Sequence, residues 1–534
     1  MKLEKNVYDD FVKVLGAENF SIDPVITDTY AYNWCVEFIN ASEGKRGDDI
    51  HGFYYRPAAV ALPSTTEEVV EFVLLCNKHG LKFKAQSTGL GPWNQASGED
   101  VIVVDLRRMN KLVKIDEKNM YAVVEPYVSG AQLQVEAMKV GLNDHMPGCG
   151  PMGSPLASAT SMCGPGFTSA STGFSDRNVL GVEWVLPTGE VLRLGSLGLK
   201  ENADWYSGDG PGPSLRGIMR GFVGTKSGLG IFTKVAVKLY PYPCDTKWNM
   251  SGVLPNYEFE IPNYIQFHVI AYKTYEKMQE GMARIDAEQI SFMNFHTPNN
   301  GVATIFSFTV EELVQKFASL MSYKRPIVVV IAGRTEREFN YKEKVIASIV
   351  EETGGKDIII KKKLKIRSLS YADGIRCNLG FHGFLISGAF QSTLGGMDAL
   401  TMCRNMMQAN APLKREYIEK GVIADDGGEG AWVTSYEHGQ YYHCEVPTMY
   451  DQTNHESILG YVEYNDACNK LAMDKRLGIP FFIEGDEMHE WYGPHCSDYH
   501  IWLRKIKETF DPENIADSGF YISTEKELKK KEKK

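Results

Sequence analysis

The chain has 534 residues, 43% of them hydrophobic and 23% charged, with a formal net charge of −11. This is the composition of an ordinary globular protein long enough for roughly two to four domains. Its acidity argues against nucleic acid as the main partner, because phosphate binding needs a basic surface.

Acidic residues interrupt the N-terminal "MKLEKNVYDDFVKVLGAENF" where a secretion signal needs an apolar core, and no apolar run reaches a membrane-spanning length. A cytoplasmic protein with no membrane span is expected. The ten cysteines contain no C-x-x-C pair. Neither an iron–sulfur cluster nor a thiolate zinc site is therefore supported, and reduced, mostly buried thiols are expected.

From residue 57 the pattern reads strand (58–62), helix (66–79), strand (81–86), glycine turn "STGLG", strand (101–105). "YAVVEPYVS" (121–129) reads as a further strand and "GAQLQVEAMKVG" (130–141) as a short helix. The tract "PGCGPMGSPLASATSMCGPGFTSASTGFSDR" (147–177) is rich in small residues, yet strong strand patterns bracket it closely. It reads as a structured ligand loop rather than a linker. "VLGVEWVLPTGEVLRLG" (179–195) is a hairpin turning at "PTGE", and "GFVGTKSGLGIFTKVAVKLYPYP" (221–243) is another glycine-rich approach to an apolar strand.

After Cys244 the pattern alternates longer strands and helices, among them 326–334, 343–355, 440–446, 455–478 and 479–485. A second α+β domain on a mainly antiparallel sheet is expected. The basic tail "TEKELKKKEKK" reads as a solvated end.

Three glycine-rich segments (87–91, 148–166, 221–230) share the first domain. Together they point to one extended phosphate-bearing ligand held along backbone amides. None fits the Rossmann or P-loop spacing, so a dinucleotide would bind outside those modes. "RPAAVALPSTTEEVVEFVLLCNKHGLKFKAQSTGLGPWNQ", "YAVVEPYVSGAQLQ", "MPGCGPMGSPLASATSMCGPGF", "NVLGVEWVLPTGEVLRLG", "GTKSGLGIFTKVAVKLYPYP" and "LRKIKETFDPENIADSGFYIS" occur in that order. This series resembles the vanillyl-alcohol oxidase and p-cresol methylhydroxylase flavoprotein family.

The resemblance implies an α+β fold: a two-part FAD-binding domain (1–245, with 486–534 returning to it) and an α+β substrate, or cap, domain (246–485) on a mainly antiparallel sheet. FAD is the implied cofactor. Ser87, Thr88, Gly89, Leu90 and Gly91 would cradle its diphosphate. Pro147, Gly150, Gly153, Ser154, Ser158 and Gly164 would run along it, with Gly230 and Ile231 at the adenine–ribose end or the polar edge of the ring. Small residues let the backbone approach the ligand.

For chemistry, the cluster "SYEHGQYYHCEVPTMYDQTNHE" (435–456) stands out, and the family places the flavin-facing strand here. His438 is the nearest match to the residue that tethers flavin in some members, with Gln440 the choice two positions on. Strand alternation puts Tyr441, His443 and Glu445 on one face and Tyr442 and Cys444 on the other. Tyr441 and His443 could then bind or deprotonate a hydroxyl. A metal site is not expected, because "GQYY" between His438 and His443 lacks the glycine–aspartate-rich stretch that related 2-hydroxy-acid dehydrogenases place between two metal-binding histidines.

The phenolate clamp of the phenol-oxidising members also departs here. Trp93 or Asn94 stands where one tyrosine is expected, Gly148 where an acid is expected, and "IPFFIEGDEMHEW" (479–491) where a tyrosine–arginine pair is expected. Glu484 is a pocket candidate, as are Asp373, Arg376 and His382, and Cys149 is an alternative flavin tether.

The expected function is FAD-dependent oxidation of a small aromatic or benzylic alcohol, or an alkylphenol-like substrate, by hydride transfer to flavin N5. The alternatives are a 2-hydroxy-acid dehydrogenase and a non-catalytic FAD-binding subunit. A cytochrome or electron-transfer flavoprotein would be the protein partner, and a homodimer or larger even oligomer the assembly.

Overall fold

The structure is a computed structural model that describes residues 3–89, 91–145, 152–162, 164–196, 205, 214–221, 224–252, 258–305, 307, 309–359, 390–426, 431–478 and 484–531. The chain opens with α1 (Lys5–Leu15), β1 (Phe20–Ser21) and α2 (Val36–Ser42). It continues with β2 (Ala59–Ala61), α3 (Thr66–His79), β3 (Lys82–Gln86) and β4 (Val101–Asp105). These strands form a sheet in the order β1-β2-β4-β3, parallel except at β1.

The start of α3 is set by Thr65, whose hydroxyl accepts from Glu68 N (3.1 Å), and its end by Gly80 in the left-handed region. Val69, Phe72, Val73 and Cys76, spaced for one helical face, bury against Phe83, Ile102 and Val104. Each such side chain contributes roughly 1.5–3 kcal/mol.

A second, antiparallel sheet runs β5 (Leu112–Asp116), β6 (Tyr121–Val124), β9 (Ile231–Lys238), β7 (Val179–Val185), β8 (Val191–Leu194) in spatial order. The strand expected over 121–129 ends at Val124. Pro126 has no N–H to offer a ladder, and Glu125 turns its carboxylate to Lys111 N (2.8 Å). Helix α4 (Gly130–Lys139) follows behind a capping box of Ser129 and Gln132. Within the small-residue tract lie two short helices the sequence pattern did not announce, α5 (Pro155–Thr160) and α6 (Ser169–Thr172).

The third sheet has seven strands among the described residues, all antiparallel: β10 (Ile265–Ala271), β11 (Ser291–His296), β12 (Pro326–Ala332), β13 (Lys356–Asp357), β14 (Phe390–Asp398), β15 (Trp432–Tyr436) and β16 (Tyr441–Met449). Their order is β13-β10-β12-β11-β15-β16-β14. Helices α7 (Tyr275–Ala287), α8 (Glu336–Thr353), α9 (Leu400–Glu419) and α10 (His455–Lys475) supply the core on one face, against Val433, Tyr442, Cys444 and Val446. The opposite face carries Phe295 and Trp432, which pack with Phe167 and Met138 from the first half of the chain.

Helix α8 starts at Glu336, seven residues before the segment expected to be helical. Thr335 caps it by accepting from Glu338 N (3.2 Å), a T-x-x-E signature present in the sequence. The strand expected over 479–485 lies outside the described residues up to 483.

The chain then returns to the first sheet. After α11 (Gly485–Tyr492) and α12 (Tyr499–Phe510), Ile515 and Asp517 bond to β3 at Phe83 (2.8 and 2.9 Å). The fully buried Lys507 ammonium closes this return. It donates to Gly228 O (2.7 Å), Ala516 O (2.9 Å) and Asp511 (2.6 Å). Removing one partner of such a pair leaves an uncompensated buried charge. Lys507→Met is expected to cost about 3–5 kcal/mol in denaturant unfolding, whereas substitution of an exposed lysine such as Lys139 costs under about 0.5 kcal/mol.

Candidate functional site

Ser87, Thr88 and Gly89 follow β3 directly and are half-buried. Gly89 and Gly91 take φ of +73° and +96°, and Leu90 between them lies outside the described residues. The amides of Thr88, Gly89 and Gly91 make no backbone hydrogen bond among the described residues. At Gly91 a side chain is excluded twice, by the backbone conformation and by the Trp93 ring 2.6 Å from where a Cβ would stand.

Pro147, Gly150, Gly148 and Cys149 lie outside the described residues. Gly153 O accepts from Gly130 N (2.8 Å), and Ser154 caps α5 through Ala157 N (3.2 Å) while donating to Pro126 O (2.6 Å). Ser158 and Ser175 share a hydrogen bond of 2.7 Å, and both hydroxyls fill the space a Cβ on Gly164 would take. Gly230 has φ +118° and lies against the Val185 carbonyl and Trp184, while Ile231 pairs with Val185 to open β9.

Beneath Gly164 lies His145, buried, with Nε2 2.7 Å from Gly164 O and Nδ1 3.0 Å from Thr172 Oγ1. A carbonyl can only accept, so Nε2 carries the proton and Nδ1 accepts. Burial lowers this imidazole to about 4 despite the bond to Gly164. Its neighbour Asp144 is buried with both carboxyl oxygens unbonded among the described residues, and burial raises it to about 8. It is therefore an uncharged acid at neutral pH.

The β15–β16 hairpin docks on this tract. Glu437, His438 and Gly439 take φ of +47°, +53° and +86°. Glu437 N and His438 N donate to Ser169 O (3.1 Å) and Ala170 O (2.8 Å) of α6. The His438 ring is half-buried in the turn, and burial lowers its pKa, with Lys342 acting in the same direction.

Register then pairs Trp432 with Glu445, Thr434 with His443 and Tyr436 with Tyr441. These six share the face toward the first half of the chain, with Tyr442 and Cys444 opposite, as strand alternation predicts. The face is aromatic. Trp432 and Tyr436 lie 5.3 and 6.3 Å from the His443 ring, Tyr441 lies 4.7 Å from Tyr436, and Phe167 is stacked on Phe295 (4.6 Å) and edge-on to Trp432. The fully buried His443 places Nε2 2.8 Å from Glu445 Oε2, and Ser392 donates to the other oxygen of Glu445.

Trp93 and Glu484 converge elsewhere, through Lys226. That side chain is buried, ion-paired to Glu484 and 5.0 Å above the Trp93 ring. Lys84 donates to Lys226 O (2.8 Å), and Ala85 N to Ser227 Oγ (2.9 Å), so the turn is pinned to β3. Burial lowers Lys84 to about 8. His455 is not part of either group, being stacked on His51 (4.8 Å). Asp373, Arg376 and His382 lie outside the described residues.

A diphosphate needs converging backbone donors at a site no side chain crowds. The amides of Thr88, Gly89 and Gly91, without a backbone partner among the described residues, are candidates for those donors. Residues 57–195 match the model of an FAD-binding domain. An uncharacterized FAD-linked oxidoreductase of Mycobacterium tuberculosis is 28% identical over 232 residues, covering 43% of this chain and 45% of the relative. The flavoprotein subunit of 4-cresol dehydrogenase from Pseudomonas putida is 32% identical over 200 residues, 35% of this chain and 36% of that one. Glycolate oxidase subunit GlcD of Bacillus subtilis is 25% identical over 258 residues, 48% of each chain.

The chain thus spans less than half the length of these relatives. Over nearly the whole chain, substrate-bound p-cresol methylhydroxylase superposes with TM-score 0.72 (17% identity, 96% of both chains). The 4-ethylphenol oxidase of Gulosibacter chungangensis superposes with TM-score 0.73 (18% identity, 98% of this chain and 97% of that one).

The chain is an FAD-binding protein, with FAD held by the domain at residues 57–195. Its fold is the α+β fold shared with p-cresol methylhydroxylase and 4-ethylphenol oxidase. No helix among the described residues is long and apolar enough to cross a membrane.

The sequence pattern missed Lys226, His145, Asp144 and Phe167. Lys226 lies in a segment read only for its glycines, and nothing local marks the other three, because their roles are set by contacts across the fold.

His145 gives a test. It is neutral when folded and titrates near 6.5 when unfolded, so stability falls as pH drops from about 6.5 to 4 and levels off below. His145→Gln, which keeps a donor for Gly164 O, is expected to reduce proton uptake on unfolding by up to one proton in that window. The measurement is unfolding free energy against pH, where one proton is about 1.4 kcal/mol per pH unit.

Proposed function

We propose that the chain is an FAD-dependent oxidoreductase acting on a small aromatic or benzylic alcohol, or an alkylphenol-like molecule. Residues 246–485 serve as the substrate cap. The observation that carries this reading is the His443–Glu445 pair set in an aromatic face that the hairpin turns toward the FAD-binding half. When bound, FAD supplies the hydride acceptor at its N5.

The protein's own groups do the rest. Trp432 and Phe167, both half-buried, offer flat apolar surface to an aryl ring. The Glu445 carboxylate accepts the Nε2 proton of His443, which fixes the tautomer and makes Nδ1 the proton-accepting nitrogen of the ring, the atom that takes a proton from a hydroxyl. Ser392 holds Glu445 by its second oxygen. Tyr441 binds the substrate hydroxyl, and His438 is the residue we assign as a covalent tether for the flavin. Trp93 and the Lys226–Glu484 ion pair close the other end.

A second reading, a 2-hydroxy-acid dehydrogenase, is favoured by the similarity to glycolate oxidase subunit GlcD. A redox partner protein and a homo-oligomer are part of the proposal.

Anaerobic mixing of the FAD-loaded protein with a benzyl alcohol, a 4-alkylphenol or a 2-hydroxy acid tests it. Bleaching of the flavin by one of the first two is expected. Bleaching by the hydroxy acid alone establishes the second reading, and bleaching by none overturns both. In the same assay His443→Ala is expected to slow bleaching by about 10²–10⁴-fold, with a smaller loss for Glu445→Gln.

A further inference from the structure

We infer that the side-chain amide of Gln95 is a hydrogen-bonding group reserved for a neutral edge of FAD. Gln95 is 1% exposed, and neither its Oε1 nor its Nε2 has a hydrogen-bond partner among the described residues. A buried amide with both ends unbonded is costly, each unmet group by an amount comparable to a lost hydrogen bond. The fold does not let it relax away.

Four residues before it, the Gly91 carbonyl accepts from the Asn33 and Asn94 amides (3.0 and 2.8 Å). Two residues after it, Ser97 donates to both oxygens of Asp517, through N to Oδ2 (3.1 Å) and through Oγ to Oδ1. Gln95 is held between these anchors, in the loop between β3 and β4 that also carries Gly89 and Gly91, whose amides have no backbone partner among the described residues. None of the described residues completes its bonding, and FAD is the group this domain binds.

The amide sets an acceptor beside a donor. That pairing suits the pyrimidine edge of the flavin, where N–H and carbonyl alternate, or a ribityl hydroxyl. A diphosphate would leave Oε1 facing an anion. The inference rests on the cofactor alone and not on the proposed substrate.

The test uses the full chain in FAD-free and FAD-loaded forms, comparing wild type with Gln95→Leu and the unbranched Gln95→Met. An apolar side chain removes the unmet groups from the apo-protein and the partner from FAD. The FAD-free variants are therefore expected to melt at or above the wild-type temperature, by up to about 2 °C, while their Kd for FAD, read by quenching of flavin fluorescence, rises about tenfold. A shifted flavin absorption band in the loaded variants assigns the bond to the pyrimidine edge, and an unshifted band with the same loss of affinity assigns it to the ribityl chain. Unchanged FAD affinity overturns the inference. So does a fall in apo stability, or failure of both variants to fold, since the amide would then serve the protein itself.

Discussion

Two backbone hydrogen bonds, from Glu437 and His438 to the carbonyls of Ser169 and Ala170, hold the rest of the site in place. They dock the β15–β16 hairpin on α6. A strand has only two faces, so once the hairpin is seated, one set of side chains must meet the FAD-binding half and the other must enter the helical core. Tyr441, His443 and Glu445 fall on the first face and Tyr442 and Cys444 on the second. A slip of one residue would exchange them. The turn that makes these bonds is held in left-handed conformations at two non-glycine residues, a cost of order 1 kcal/mol each. The surrounding contacts over-determine it.

Behind that seam, buried charges and polar groups tie distant segments together. Lys507 joins the C-terminal return to the turn at Gly228, Lys226 joins that turn to Glu484, and Asp517 joins the return to Ser97. All three meet around the segments beside the glycine turn after β3. Rigid supports of this kind let a binding site keep its geometry without the ligand. His145 plays the same part under Gly164, held in one tautomer by an acceptor on one side and a donor on the other.

Much of this arrangement is legible in the amino-acid sequence, and the reasons differ by element. Helix α3 announces itself by Thr65, Gly80 and the spacing of Val69, Phe72, Val73 and Cys76, all local signals. The face of β16 follows from alternation alone. The short helices α5 and α6 do not show, because four to six residues carry too little periodicity. Tertiary contacts decide the rest. The convergence of Trp93 and Glu484 passes through Lys226, whose side chain is remote from both in sequence. Asp144 and Gln95 look like surface polar residues in the sequence and are buried in the structure.

The central claim is that the aromatic face of the hairpin lies against the flavin. It is tested most directly by the difference absorption spectrum of the FAD-loaded protein titrated with benzaldehyde, an aromatic ligand without a hydroxyl to oxidise. The account predicts a saturable perturbation of the flavin bands that is lost in Trp432→Ala, with the protein still folded and yellow. A flat difference spectrum, or one that Trp432→Ala leaves unchanged, would contradict it.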